Sequence, residues 1–211
     1  NLKLNNELIK EIIWVQEKLH LTFGRNRKKA AIGIYPLEHI KLPIYYRAAN
    51  PHHIRFKPLE SDKEMTAEEI LNEHKTGIEF GHLLEGKKVY PYFCDAKGSI
   101  LSMPPIINSE ETGRVTKDTK EVFIECSGSD INALKQTLNI IVFLLQDMGG
   151  DVYQMDLQFY DKKIMTPDLY SKRRKISAKY VSEILGKDFT PKEVGIALKK
   201  MMHNVKRVGK E

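Results

Sequence analysis

Apolar residues recur at three- and four-residue steps near the start of the chain, at Leu8, Ile9, Ile12, Ile13, Val15 and Leu19. That spacing predicts an amphipathic helix, with Gly24 placed to close its end. Short strand candidates follow over residues 30–35, 43–47 and 53–57, where Ile54 and Phe56 alternate with polar neighbours. Thr66 with Glu69 forms a capping box ahead of Ile70 and Leu71, so a short helix is expected there, stopping at Gly77. Residues 89–94 and 99–103 read as a hairpin joined by Asp95-Ala96-Lys97-Gly98, and Pro104-Pro105 ends its second strand. A strand over 121–127 then meets Asp130, the expected N-cap of a long helix carrying Ile131, Leu134, Leu138, Ile141, Leu145 and Met148 on one face and closed by Gly149. Beyond it Tyr153, Met155, Leu157 and Phe159 alternate with Gln154, Asp156 and Gln158, the pattern of a strand with one buried face.

The composition shifts near Lys162. Thr166-Pro167 and the basic run Lys172-Arg173-Arg174-Lys175 read as a linker, and two compact helices follow, one capped by Ser177 and ended by Gly186, the other opened by Thr190-Pro191 with Glu193 completing a capping box. The expected organisation is an α/β domain over residues 1–165, built from mixed β-sheets with flanking helices. A small helical piece over 166–211, too short to hold a secure core alone, comes after it. The chain opens on Asn1 without a signal peptide, so it reads as a piece of a longer polypeptide.

Hydrophobic residues make up 41% of the 211 and charged residues 29%, an ordinary balance for a globular domain. The longest purely apolar run, residues 140–145, is far short of the roughly 20 residues that cross a bilayer, so no membrane association is expected. Two cysteines, Cys94 and Cys126, each inside a strand-like run, make a disulfide framework improbable and suit a reducing cytoplasm. A formal net charge of +6 suits a polyanionic partner and suits a plain basic surface equally well.

No GxGxxG, Walker loop, HExxH or GxSxG is present, and the seven histidines keep no metal-ligand spacing with the cysteines, so no metal site is expected. The informative stretch runs from Met103 to Asp130. It holds Pro104-Pro105-Ile106-Ile107-Asn108-Ser109, Thr112-Gly113-Arg114 and Phe123-Ile124-Glu125-Cys126-Ser127-Gly128-Ser129-Asp130. Its second half is a strand entering a helix N-terminus, where backbone N–H groups bind carboxylates, phosphates or a developing oxyanion, although Ser129 and Asp130 also suit a plain cap. Strand phase puts Phe123, Glu125 and Ser127 on one face and Val122, Ile124 and Cys126 on the other. Glu125 must then face solvent or hold a partner, because unpaired burial of a carboxylate is costly.

These segments resemble the editing module of the archaeal and eukaryotic type of phenylalanyl-tRNA synthetase β subunit. Further segments in the same order carry the resemblance across most of residues 5–160: Gln16 to His20, Thr22 to Arg25, Ala31-Ile32-Gly33-Ile34-Tyr35 and Gly77 to Leu84. The tail, with Arg174 to Ser177 and Tyr180-Val181, is similar to the start of the small helical domain that follows editing in these subunits.

The resemblance implies a mixed α/β editing fold and hydrolysis of mischarged tyrosyl-tRNA(Phe) within an (αβ)₂ enzyme whose partners are tRNA(Phe) and an α subunit. Glu125 would read the tyrosine hydroxyl. Asn108, Ser127 and Asp130 would serve the hydrolysis, and Pro105, Ser109, Thr112, Gly128, Ser129 and His82 would complete the substrate pocket. Ser127 and Ser129 stand where relatives often carry threonine. No cofactor is expected in this piece, ATP and magnesium belonging to the intact synthetase, since no class II signature and no HIGH or KMSKS pair occurs. Without a Ser-His-Asp or Cys-His set, the ester would be cleaved by a positioned water or by the tRNA's own hydroxyl. A non-catalytic tRNA-binding or assembly module, and a free-standing hydrolase of other aminoacyl-tRNAs, are the alternatives.

Overall fold

In a computed structural model, which describes residues 2–209, the leading apolar stripe forms α1 (Asn6–Leu21), opened by the Asn5 side chain accepting the Leu8 amide at 2.8 Å. Its end corrects the expectation. Thr22 closes α1, and Gly24 lies past it, pressed against the backbone of His20 and Ala30, in a turn where Arg25, Asn26 and Arg27 take left-handed φ. The strands β1 (Ala31–Pro36), β2 (Tyr45–Ala49), β3 (Arg55–Phe56) and β4 (Met65–Thr66) follow. The Thr66–Glu69 capping box opens α2 (Ala67–Glu73), but the helix breaks at His74, and Gly77 lies inside a second short helix, α3 (Lys75–Phe80). Any side chain at Gly77 would collide with the Ile70 carbonyl, so this glycine permits close packing of the two helices and terminates neither.

The hairpin of β5 (Tyr90–Cys94) and β6 (Ile100–Met103) turns on buried Asp95, whose carboxylate accepts the amides of Lys97, Ser99 and Lys41. Then come β7 (Ile107–Asn108), α4 (Glu110–Gly113), β8 (Val122–Ser127), α5 (Ile131–Asp147), β9 (Met155–Gln158) and β10 (Lys163–Thr166). All pairing is antiparallel: a four-stranded sheet in the order β2-β5-β6-β7, and the two-stranded pairs β1–β8, β3–β4 and β9–β10. This is the mixed α/β architecture expected from the sequence.

The β1–β8 pair is buried on both faces. Ile32 and Ile34 of β1, with Val122, Ile124 and Cys126 of β8, pack under α1 and α5 against Ile12, Leu19, Ile141 and Leu145. On the other face Tyr35 and Phe123 meet Leu101 and Phe93 of the four-stranded sheet. A second cluster, built on Ile54, Phe56, Ile70, Met103 and Ile106, joins α2 to the end of β6.

The chain divides into two units, Asn1–Leu169 and Tyr170–Glu211. The first extends past the expected linker start because residues 163–166 form β10. In the second, α6 (Ala178–Leu185) begins at the Ser177 cap and ends on Gly186 with φ of 67°, and α7 (Pro191–Lys200) begins at the Thr190–Glu193 capping box. Among the described residues no helix is long and apolar enough to cross a membrane.

Candidate functional site

The strand phase read from the sequence places Glu125 on the face of β8 turned to the four-stranded sheet, opposite Gly33 of β1. That sheet presents a cross-strand row, since Tyr46 pairs with Phe93, Phe93 with Ser102 and Ser102 with Asn108. Row and carboxyl meet around one phenol. The Tyr35 hydroxyl lies 2.9 Å from Ser102 Oγ and 3.3 Å from both Asn108 Oδ1 and Glu125 Oε1. Two glycines make room for this cluster. A Cβ on Gly33 would overlap the Tyr35 phenol, and one on Gly113 would come within 2.8 Å of Asn108 Cβ.

Solvent exposure of Glu125, open from the sequence, is excluded, for the residue is only 7% exposed. Burial pushes its carboxyl up to about 8, against the opposing pull of the Tyr35 and Ser127 hydroxyls. The group is therefore largely protonated at neutral pH and can donate as well as accept. Tyr35 itself is raised well above an ordinary phenol, by burial first and then by the Glu125 charge. Glu125 Oε2 and Ser127 Oγ are both buried and outside full hydrogen-bond geometry, although the Ser127 hydroxyl is near enough to favour the carboxylate. Tyr46, the exposed end of the row, stacks its ring 4.8 Å from that of Phe93. Its phenol is raised by partial burial and by the Glu125 charge, which places it in the electrostatic reach of the cluster.

The other residues expected at the site make the following contacts. Ser109 is buried and caps α4 through the Glu111 amide. The Thr112 hydroxyl donates to the Ile100 carbonyl at 3.3 Å. The Pro105 carbonyl accepts from Arg27 Nη1 at 3.3 Å. Gly128 lets the end of β8 lie against the Lys29 carbonyl, which any Cβ would strike. Ser129 donates to the Lys28 carbonyl at 3.1 Å. Asp130 takes the capping half of the two readings left open: Oδ1 accepts the Asn132 and Ala133 amides while Oδ2 pairs with Lys29 at 2.9 Å. Those interactions hold its carboxyl below the usual range, the Lys29 bond most of all. His82 is exposed on a 3₁₀ turn, its Nδ1 3.1 Å from the Glu79 carbonyl, and shares no hydrogen bond with the Glu125 cluster.

Tyr35 and Ser102 are the members that sequence reasoning missed. A signal existed for each. Tyr35 closes a run whose Gly33 leaves space two residues back on the same strand face, and Ser102 is a lone hydroxyl between Leu101 and Met103. Among the described residues no group of three or more His, Cys, Asp or Glu side chains gathers as a metal site, and both cysteines are unpaired.

No family model matches the chain. Individual proteins do. It is 44% identical over 204 residues to the phenylalanine–tRNA ligase β subunit of Pyrococcus abyssi, which covers 97% of this chain and 36% of that one. It is 40% identical over 205 residues to that of Thermococcus sibiricus, covering 97% and 37%. The crystal structure of an N-terminal fragment of the Pyrococcus horikoshii phenylalanyl-tRNA synthetase β subunit matches with a TM-score of 0.90 at 42% identity, over 98% of this chain and 59% of that one. The chain is homologous to part of the phenylalanine–tRNA ligase β subunit. It spans little more than a third of the length of these curated relatives. The resemblance to a phenylalanyl-tRNA synthetase β subunit read from the motifs thus holds along nearly the whole chain.

Proposed function

We propose that the cluster of Glu125, Asn108, Ser102 and Ser127 is the amino-acid pocket of a hydrolytic editing site that clears tyrosine from mischarged tRNA(Phe). The observation that carries this reading is the buried carboxyl with one unpartnered oxygen, Glu125 Oε2, beside the unpartnered Ser127 hydroxyl. An apolar synthetic pocket made for phenylalanine rejects an added hydroxyl by only about a hundredfold, so a second site that demands the hydroxyl is needed. A phenol satisfies Glu125 Oε2. Phenylalanine leaves it unpaired at a cost of roughly 1–3 kcal/mol, and the correct product is spared.

The ester is already reactive, so the site needs a held nucleophile and polarising donors more than a strong base. Asn108 and Ser127 border the carboxyl and are assigned to orient the attacking water or tRNA hydroxyl. Asp130 is assigned to the fold of the β8–α5 junction, its oxygens being spent on the helix cap and Lys29. Phosphates of the tRNA would meet Arg25 and Lys28, both exposed. Arg27 and Lys29 already hold partners within the protein, the first the Pro105 and Ile106 carbonyls, Glu17 and the Phe80 ring, the second Asp130 in a partly exposed ion pair. The whole enzyme would be a cytoplasmic (αβ)₂ synthetase, with ATP and magnesium used at a site outside this chain.

Deacylation of Tyr-tRNA(Phe) and Phe-tRNA(Phe) by the intact subunit pair tests the reading. Glu125→Ala is expected to erode the preference for the tyrosyl ester by about 1–3 kcal/mol, chiefly through weaker tyrosine binding. Asn108→Ala is expected to slow hydrolysis with the preference mostly kept. Equal selectivity in wild type and Glu125→Ala would remove Glu125 from the tyrosine pocket.

A further inference from the structure

The Tyr35 side chain is 0% exposed, and its hydroxyl joins three strands of two different sheets, through Ser102 on β6, Asn108 on β7 and Glu125 on β8. We propose that Tyr35 is the positioning residue for amino-acid choice at this site. Its phenol holds Glu125 Oε1, so the carboxyl presents Oε2 alone to an incoming hydroxyl. This inference rests on the editing reading above and deepens it.

A carboxyl rotates about its last bond unless one oxygen is fixed. A carboxyl free to turn would satisfy itself on either neighbour and lose its power to penalise a missing hydroxyl. Here one oxygen is bonded and the other is buried without a partner. The same phenol reaches Asn108, so the residue assigned to orient the nucleophile and the residue assigned to read the hydroxyl are referenced to one atom. Gly33 supports the arrangement, because the phenol lies where a Cβ at that position would be. Tyr35 approaches from β1 and is wholly enclosed, so a ligand phenol meets the carboxyl on its other oxygen.

The test is Tyr35→Phe, which removes one oxygen and keeps the ring, assayed with the intact subunit pair on both esters. The expected result is a fall of about tenfold or more in the ratio of kcat/KM for Tyr-tRNA(Phe) over Phe-tRNA(Phe), the worth of one buried hydrogen bond. Gly33→Ala, which pushes the phenol and its hydroxyl out of place while keeping both on the residue, is expected to reproduce the loss if it folds. A second measurement needs no substrate. Carboxyl-carbon NMR titration of the 211-residue chain, with Glu125→Gln used to assign the resonance, is expected to show the Glu125 midpoint moving upward in Tyr35→Phe, since the lost bond favours the carboxylate. An unchanged selectivity ratio in folded Tyr35→Phe would overturn the proposal. So would a rise in that ratio, which would make Tyr35 a competitor for the carboxyl. A wild-type enzyme that spares the tyrosyl ester would instead sink the editing reading, and the titration would still decide whether Tyr35 holds Glu125.

Discussion

Two strands of this protein alternate in sequence and end in opposite environments. β8 lies between layers. Val122, Ile124 and Cys126 pack under α1 and α5, and Phe123, Glu125 and Ser127 face the four-stranded sheet. β9 carries an equally regular alternation and is exposed along its length, with Leu157 43% exposed and Tyr153 before it 80% exposed. Alternation marks extended backbone. Burial depends on whether a second layer exists to cover the face. β9 pairs only with β10, and a two-stranded ribbon without a covering layer buries little. The expectation of one buried face on residues 153–159 is therefore corrected: the strand forms, but among the described residues of its own unit no layer covers it.

The comparison breaks most directly in the core. Ile141 is 0% exposed and packs from α5 onto the β1–β8 pair. Ile141→Ala is expected to cost about 2–5 kcal/mol, the lost transfer energy plus the cavity left behind. Leu157→Ala on the ribbon is expected to cost less than about 0.5–1 kcal/mol. Urea unfolding of both variants measures the difference, and equal costs would show that the ribbon is packed as tightly as the layered strand.

The next test sharpens it through pH. A carboxyl raised to about 8 in the fold keeps its proton while the unfolded chain, with an ordinary carboxyl near 4.5, has lost its own. The folded state then binds more protons than the unfolded one, so stability falls as pH rises across that window. The contribution is fully present below about 4.5 and is gone above about 8. Glu125→Gln, which stays neutral, is expected to flatten this slope and to gain on the order of 3 kcal/mol over wild type at pH 9, with little difference at pH 4. Denaturation midpoints at several pH values decide it. A wild-type slope unchanged by the substitution would mean that the carboxyl is hydrated and not enclosed.

How much was legible follows from the range over which each feature is decided. Caps are local, and Thr66, Asp130, Ser177 and Thr190, read as caps from the sequence, all accept the amides that open helices. The strand expectations over 30–35, 53–57 and 121–127 landed within a residue or two of β1, β3 and β8 for the same reason. Glycines misled where their role was steric and not conformational. Gly24 and Gly77 look like terminators, yet both lack positive φ and serve close approach to backbone four to seven residues away. The site divides the same way. Glu125 and Ser127 share a face by strand phase alone. That Asn108 meets them depends on the register of β6 with β7 and on the packing of one sheet over another. Tyr35 and Ser102 escaped because their partners lie 67 to 90 residues away, a relation that no local pattern encodes.

The smallest effect concerns the junction where β8 leaves its layers. Asp130 was expected among the hydrolytic residues, and its carboxylate accepts two amides of α5 and pairs with Lys29. A cap of this kind is worth about 1 kcal/mol, within roughly 0.5–2 across hosts, and the exposed ion pair adds little. Asp130→Ala is accordingly expected to lower stability by about that amount. Asp130→Asn, which keeps the capping oxygen and loses the charge, should recover most of it. If capping is its whole contribution, deacylation of Tyr-tRNA(Phe) at saturating folded enzyme should change less than about twofold in Asp130→Asn. A loss of a hundredfold or more with stability retained would return the carboxylate to the chemistry, and the layered half of the comparison would then extend one residue past Ser129 into α5. The two measurements, unfolding and single-turnover deacylation on the same two variants, separate the roles because a cap moves the first and a reacting group moves the second.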